Sequence, residues 1–136
     1  MHSAFRISEA AGLAMHAVTI LVRQADEQPL KISEIAKQIG ASENHLGKIM
    51  HRLAQSKVVL SRRGPAGGFI LDPGAESLTF LDLYEMFDGP LDSADCMMGL
   101  ETCPFGDCVL GDTLNLATRA LKESLSKQQI GSLRNS

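Results

Sequence analysis

Apolar residues recur at a helical period from the start of the chain. Ile7, Ala10, Ala14, Ala17 or Val18 and Leu21 fall on one stripe and predict an amphipathic helix over 6–25. Asp26, Glu27, Gln28 and Pro29 end it. Ser33 is expected to cap a short helix with Ile35, Ala36 and Ile39 on one face and Gly40 as its stop. Ser42 reads as the next N-cap, and Leu46, Ile49, Met50 and Leu53 give the stripe of a third helix reaching about Ser56. The pattern then turns extended. Residues 58–63 and 69–71 flank Gly64-Pro65-Ala66-Gly67-Gly68, the signature of a hairpin, and Asp72-Pro73-Gly74 closes it. Thr79 and Asp82 form a capping box for a fourth helix with Leu83, Met86 and Phe87 inward, broken at Gly89-Pro90. Asp112 is expected to cap a last helix striped by Leu114, Ala117, Leu121 and Leu125, and the polar tail from about Ile130 to fray.

These elements predict a mostly α fold with a small β-hairpin wing. Residues 1–75 read as a winged helix-turn-helix. Residues 76–136 read as a helix, a cysteine-bearing loop at 92–111 and a long C-terminal dimerisation helix. A single apolar stripe on that last helix packs on its own domain or on a twin, and recognition of a half-site by so small a domain favours the twin.

A chain of 136 residues is one domain's worth. Its few aromatics (Phe 5, Tyr 1, Trp 0) leave the core to aliphatic residues, which suits helices. The apolar stretch from Ala10 to Val22 contains His16 and is too short to span a bilayer. Glu9 interrupts its flank, so a signal peptide is not expected. A cytoplasmic protein is expected.

The net charge of −3 hides a division. Residues 30–71 carry seven Lys or Arg against Glu34 and Glu43, a local +5, while residues 73–136 are net −6. The basic half has the electrostatics for phosphate contact. Two helices joined by Gly40-Ala41-Ser42 have the dimensions of a helix-turn-helix. Ser42, Glu43, Asn44, His45 and Lys48 open the second helix, where side chains reach base edges. Arg62 and Arg63 sit at the hairpin tip, where a wing meets phosphates or the minor groove. The glycines at 64–68 lack the phosphate-loop pattern and are read as a tight turn with room for a backbone near DNA.

The candidate chemistry lies in the only three cysteines, Cys96, Cys103 and Cys108, spaced C-x6-C-x4-C among Gly99, Pro104 and Gly106. An odd count without export features fits a reducing compartment. Three thiolates in a glycine-rich loop suit an iron–sulfur cluster. Zinc sites favour closer C-x2-4-C pairs. Thiol oxidation without metal, or inert buried thiols, are the other readings. A thiol switch needs a reactive thiolate, which Asp92, Asp95, Glu101 and Asp107 disfavour.

The chain resembles the iron–sulfur cluster regulator family of bacterial winged-helix repressors, the IscR and NsrR type. The matching stretches are Arg6-Ile7-Ser8, Ile32-Ser33-Glu34-Ile35-Ala36, Ser42-Glu43-Asn44-His45-Leu46, Arg63-Gly64-Pro65-Ala66-Gly67-Gly68-Phe69 and the three cysteines before a long helix. The resemblance covers about Arg6 to Leu125. It implies a homodimer paired through the long C-terminal helix on a partly palindromic double-stranded DNA operator. It also implies a 2Fe–2S or 4Fe–4S cluster on Cys96, Cys103 and Cys108, whose loss or reaction with oxygen or nitric oxide alters DNA affinity. Ser42, Asn44, His45 and Lys48 would face the major groove, and Arg63 the minor groove with Arg62 beside it. Some relatives place a histidine three residues after the last cysteine; here that position is Gly111. Others take a ligand from the first helix of the partner subunit, where Glu9 and His16 share one face with Gly12 between them. Asp95 and Asp107 are local alternatives.

An electron carrier would have no use for the basic wing. No nucleophile–base pair, paired-carboxylate motif or phosphate loop points to an enzyme. The competing function is the same DNA-binding scaffold without metal, switched by thiol oxidation or a small ligand.

Overall fold

Helix α1 (Glu9–Arg23) is the spine of the fold, with Ala14, Ala17 and Val18 fully buried along it. It begins at Ser8, whose Oγ accepts from the Ala11 N–H at 3.1 Å. That start is three residues later than the periodicity predicts, because Arg6 and Ile7 are used elsewhere. The Tyr84 hydroxyl donates to the Arg6 carbonyl at 3.1 Å, and Ile7 is exposed. Burial, with Asp88 and Glu85 nearby, pushes the Tyr84 pKa up, so the hydroxyl keeps its proton. The structure is a computed structural model that describes residues 6–24, 28–92, 98 and 100–135.

Helix α2 (Ile32–Ile39) is capped at Lys31, not Ser33, because the Glu34 carboxylate reaches back to the Lys31 N–H at 2.8 Å. Gly40 ends it at φ +80°, donating to the Ala36 carbonyl at 2.8 Å. Helix α3 (Glu43–Gln55) starts at Ser42 as predicted. It buries Leu46, Ile49, Met50 and Leu53.

Strands β1 (Val59–Arg62) and β2 (Gly68–Leu71) pair antiparallel, from Val59 opposite Leu71 to Arg62 opposite Gly68. Leu30 adds a third edge by exchanging two hydrogen bonds with Phe69, at 3.0 and 2.8 Å. This explains the glycines. A Cβ on Gly68, at φ +149°, would lie 2.5 Å from the Leu30 carbonyl oxygen. One on Gly67 would lie 2.3 Å from that of Arg62. The close neighbours are the chain's own backbone, so the expectation of room for DNA at these two positions is replaced by a packing reason.

Helix α4 (Phe80–Asp88) carries the predicted capping box. Asp82 N–H donates to Thr79 Oγ1 at 3.2 Å, and Thr79 N–H donates to Asp82 Oδ2 at 2.8 Å. Helix α5 (Thr113–Lys127) follows Asp112, whose side chain makes no cap bond, contrary to expectation. Its predicted stripe faces the chain's own core: Leu114 is buried, and Leu121 and Leu125 pack against the central cluster.

The tail does not fray as expected. Ile130 donates its N–H to the Leu78 carbonyl at 2.8 Å and is fully buried, and a 3-10 turn (Gly131–Asn135) buries Leu133. Burying two aliphatic side chains outweighs the polar composition around them. No described helix is long and apolar enough to cross a membrane.

Candidate DNA interface and cysteine loop

Helix α3 turns one side inward through its leucine and isoleucine stripe, which leaves the other side to solvent. Asn44 and Lys48 are exposed there. Ser42 is exposed too, and its Oγ accepts the His45 N–H at 3.1 Å, so it caps the helix and keeps its hydroxyl proton and one lone pair to offer. His45 is half-buried beside it. Arg62, at the end of β1, and Arg63 after it are both exposed. All six residues expected to meet DNA therefore lie on solvent-accessible parts of the helix-turn-helix and wing.

A groove of about 680 Å³ runs along α1, lined by Ile7, Gly12, Leu13, Ile20 and Ile39 with Glu9 and His16 among them. The predicted shared face of Glu9 and His16 is thus a concave one. Gly12 leaves it open, since a Cβ there would touch nothing within 4 Å. His16 Nδ1 lies 2.6 Å from the Gly12 carbonyl. A carbonyl only accepts, so Nδ1 is the nitrogen that donates, and Nε2 is the nitrogen left to meet another group. A backbone carbonyl orienting one ring nitrogen while the other stays free is the usual preparation of a metal-ligating histidine. Glu9 is engaged differently, its Oε1 standing 3.8 Å from His45 Nδ1. Sequence reading missed this contact, because it joins residues 36 positions apart on two helices.

Of the cysteines, Cys103 is half-buried, Cys108 is exposed, and Cys96 lies outside the described residues with Asp95. The loop is a chain of turns. Gly106 N–H donates to the Cys103 carbonyl at 3.2 Å and Gly111 N–H to the Cys108 carbonyl at 3.0 Å, both glycines at positive φ. The Leu110 N–H points at Cys108 Sγ from 3.4 Å, the kind of donor that steadies a thiolate ligand. Among the described residues no three His, Cys, Asp or Glu side chains gather closely enough to hold a metal within one chain. The loop also exposes Phe105 (74%) and Val109 (80%), large apolar side chains that a lone subunit leaves in water.

Two more contacts tie α1 and α3 to α4. Ser8 N–H donates to Asp88 Oδ2 at 2.9 Å, tying the start of α1 to the end of α4. Arg52 of α3 lies over the Phe87 ring of α4.

Residues 7–136 match the family model described as "Rrf2: Iron-dependent Transcriptional regulator". The regulator IscR of Klebsiella pneumoniae is 28% identical over 130 residues, covering 96% of this chain and 75% of the relative. IscR of Pectobacterium atrosepticum is 28% identical over 109 residues, 80% of this chain and 66% of its own length. Among solved structures, CymR, described as the global cysteine regulator of B. subtilis, superposes with a TM-score of 0.77 at 21% identity, covering 96% of this chain and 97% of that one. IscR of T. potens follows at a TM-score of 0.71 and 20% identity, covering 96% and 88%. Those two likenesses speak to the fold, a winged helix. Regulators of the matched family bind DNA and act as dimers. This chain belongs to the Rrf2 family and is a DNA-binding transcriptional regulator, not an enzyme.

Proposed function

We propose that this regulator is a cytoplasmic homodimeric repressor that senses redox, nitric oxide or iron status through an iron–sulfur cluster held by Cys96, Cys103 and Cys108. The observation that carries the reading is the pairing of a turn-rich, solvent-facing thiol loop with a groove lined by His16, whose Nδ1 is held on the Gly12 carbonyl. The donor set fits: thiolates with an N–H donor at Cys108, and a fourth ligand from Glu9 or His16 of the partner subunit. When bound, such a cluster supplies a centre that oxygen, nitric oxide or iron shortage destroys or converts. The protein's part is mechanical. An ordered 96–108 loop fixes the start of α5, and α5 sets the distance between the two recognition helices across the dimer. Ser42, Asn44, His45 and Lys48 then read the major groove, with Arg63 in the minor groove and Arg62 beside it.

Anaerobic purification with an absorption spectrum and iron and sulfide analysis tests this. A coloured protein holding iron and sulfide, lost in Cys103→Ala, is the expected result. A colourless protein with free thiols after reconstitution sinks the cluster. It would promote the second reading, a metal-free regulator switched at its thiols or by a small ligand, which the exposure of the Cys108 thiol supports.

A further inference from the structure

We propose that Gly47 and Ile32 form a methyl-sized apolar notch beside the base-reading residues of α3, and that the notch takes a thymine methyl in the major groove. The proposal rests on α3 being the recognition helix, and adds a base contact made where a side chain is missing.

Gly47 lies in the interior of α3 (Glu43–Gln55), and its φ is not positive. A glycine there weakens a helix relative to alanine, so its presence asks for a reason. The subunit supplies none. A Cβ at Gly47 would meet only Ile32 Cδ1, at 3.7 Å, an ordinary van der Waals contact. Gly67 and Gly68 in the hairpin differ, since backbone atoms press on both. The space at Gly47 is kept open toward the outside of the fold.

Residues three and four positions apart are neighbours on a helix surface. Those of Gly47 include Glu43, Asn44 and His51, all exposed, with exposed Lys48 next in sequence. Gly47 is therefore a dent among polar side chains. Ile32, the first residue of α2, is half-buried and brings its Cδ1 to the edge of that dent. The backbone N–H and C=O groups of a helix interior are spent on one another, so the notch offers no hydrogen bond. The major groove carries one apolar group, the C5-methyl of thymine, and it fits a notch of this size and chemistry.

Adding a Cβ at position 47 favours the helix and fills the notch in the same step. Stability and DNA affinity should then move in opposite directions, which an internal packing role does not predict.

The test is a methyl scan. A duplex selected from a random pool by the full-length wild-type protein is titrated by fluorescence anisotropy, with deoxyuridine replacing thymidine at one position of each half-site at a time. The exchange removes only the methyl. Wild type should lose about fourfold per half-site at one position, the size of one buried methyl. Gly47→Ala should melt at the same or a higher temperature, bind the thymine duplex about five- to tenfold more weakly, and no longer distinguish deoxyuridine at that position. Wild-type affinity in Gly47→Ala, methyl sensitivity that persists in it, or a lower melting temperature overturns the notch. Lys48→Ala separates the two readings. Weaker binding by Lys48→Ala with none by Gly47→Ala overturns the notch and keeps α3 as the recognition helix, whereas full affinity in both variants overturns both.

Discussion

Arg52, in the last turn of α3, holds its guanidinium carbon 4.6 Å from the centre of the Phe87 ring and donates from Nη2 to the Met86 carbonyl at 2.5 Å. It joins the far end of the recognition helix to the helix that leads into the cysteine loop. Part of the positive charge of the 30–71 segment is therefore spent inside the molecule, not on DNA. Arg52→Ala should lower stability by about 1–2 kcal/mol, from a cation–π contact and one hydrogen bond. An unchanged urea midpoint would show that the strut carries no weight.

Two glycines should respond in opposite ways to alanine. Gly68→Ala forces a Cβ to within 2.5 Å of the Leu30 carbonyl oxygen at φ +149° and should destabilise the wing by about 1–3 kcal/mol or more. Gly12→Ala meets nothing within 4 Å and lies in a helix, so it should raise stability by about 0.5–1 kcal/mol. It also narrows the groove beside His16 and should lower iron content in reconstituted protein. Thermal melts and iron analysis on both variants check the pair. A Gly12→Ala protein that loads iron normally would argue against the groove as part of the site.

The docked tail is a stability element. Ile130→Ala removes a fully buried side chain and should cost about 2–5 kcal/mol in a denaturant titration. A loss below 1 kcal/mol, the order expected of a side chain in a frayed end, would contradict the observed packing.

The stripe of α5 packs in part on the subunit's own core, with Leu114 buried and Leu121 and Leu125 half-buried, and its outer face carries an exposed leucine. Leu116 of α5 is 58% exposed, and the loop's Phe105 (74%) and Val109 (80%) are exposed as well. Leu116→Lys should shift the protein toward monomer in sedimentation experiments and weaken operator binding with it, while leaving the melting temperature of the subunit within a few degrees. An intact dimer would move the interface elsewhere.

Much of the fold was legible in the sequence because its signals are local. The Ser42 cap, the Thr79–Asp82 box, the Gly40 stop and the glycine-rich turn of the hairpin all depend on residues within a few positions of one another. What escaped depends on residues far apart. Leu30 pairs with Phe69, Arg52 with Phe87 and Glu9 with His45, and no periodicity announces such meetings. The tail differs from expectation for a related reason: Ile130 and Leu133 sit among Gly, Ser and Asn, and their burial depends on distant partners, Leu78 for Ile130 and α1 for the final turn. The Ser33 cap failed because Lys31 with Glu34 offers the backbone a better closure two residues earlier. In the site, the residue types that carry chemistry were visible. That His16 is oriented and Glu9 engaged was not, since one depends on ring placement and the other on tertiary contact.

The central claim is that an iron–sulfur cluster on Cys96, Cys103 and Cys108 changes affinity for DNA. The direct measurement is anaerobic anisotropy titration of one selected duplex with the same reconstituted preparation before and after chelation of its iron, with Cys103→Ala alongside. The expected result is a shift of about tenfold, within the usual 1–3 kcal/mol range of allosteric coupling, tighter with the cluster and absent in the mutant. Identical affinities before and after iron removal would contradict it.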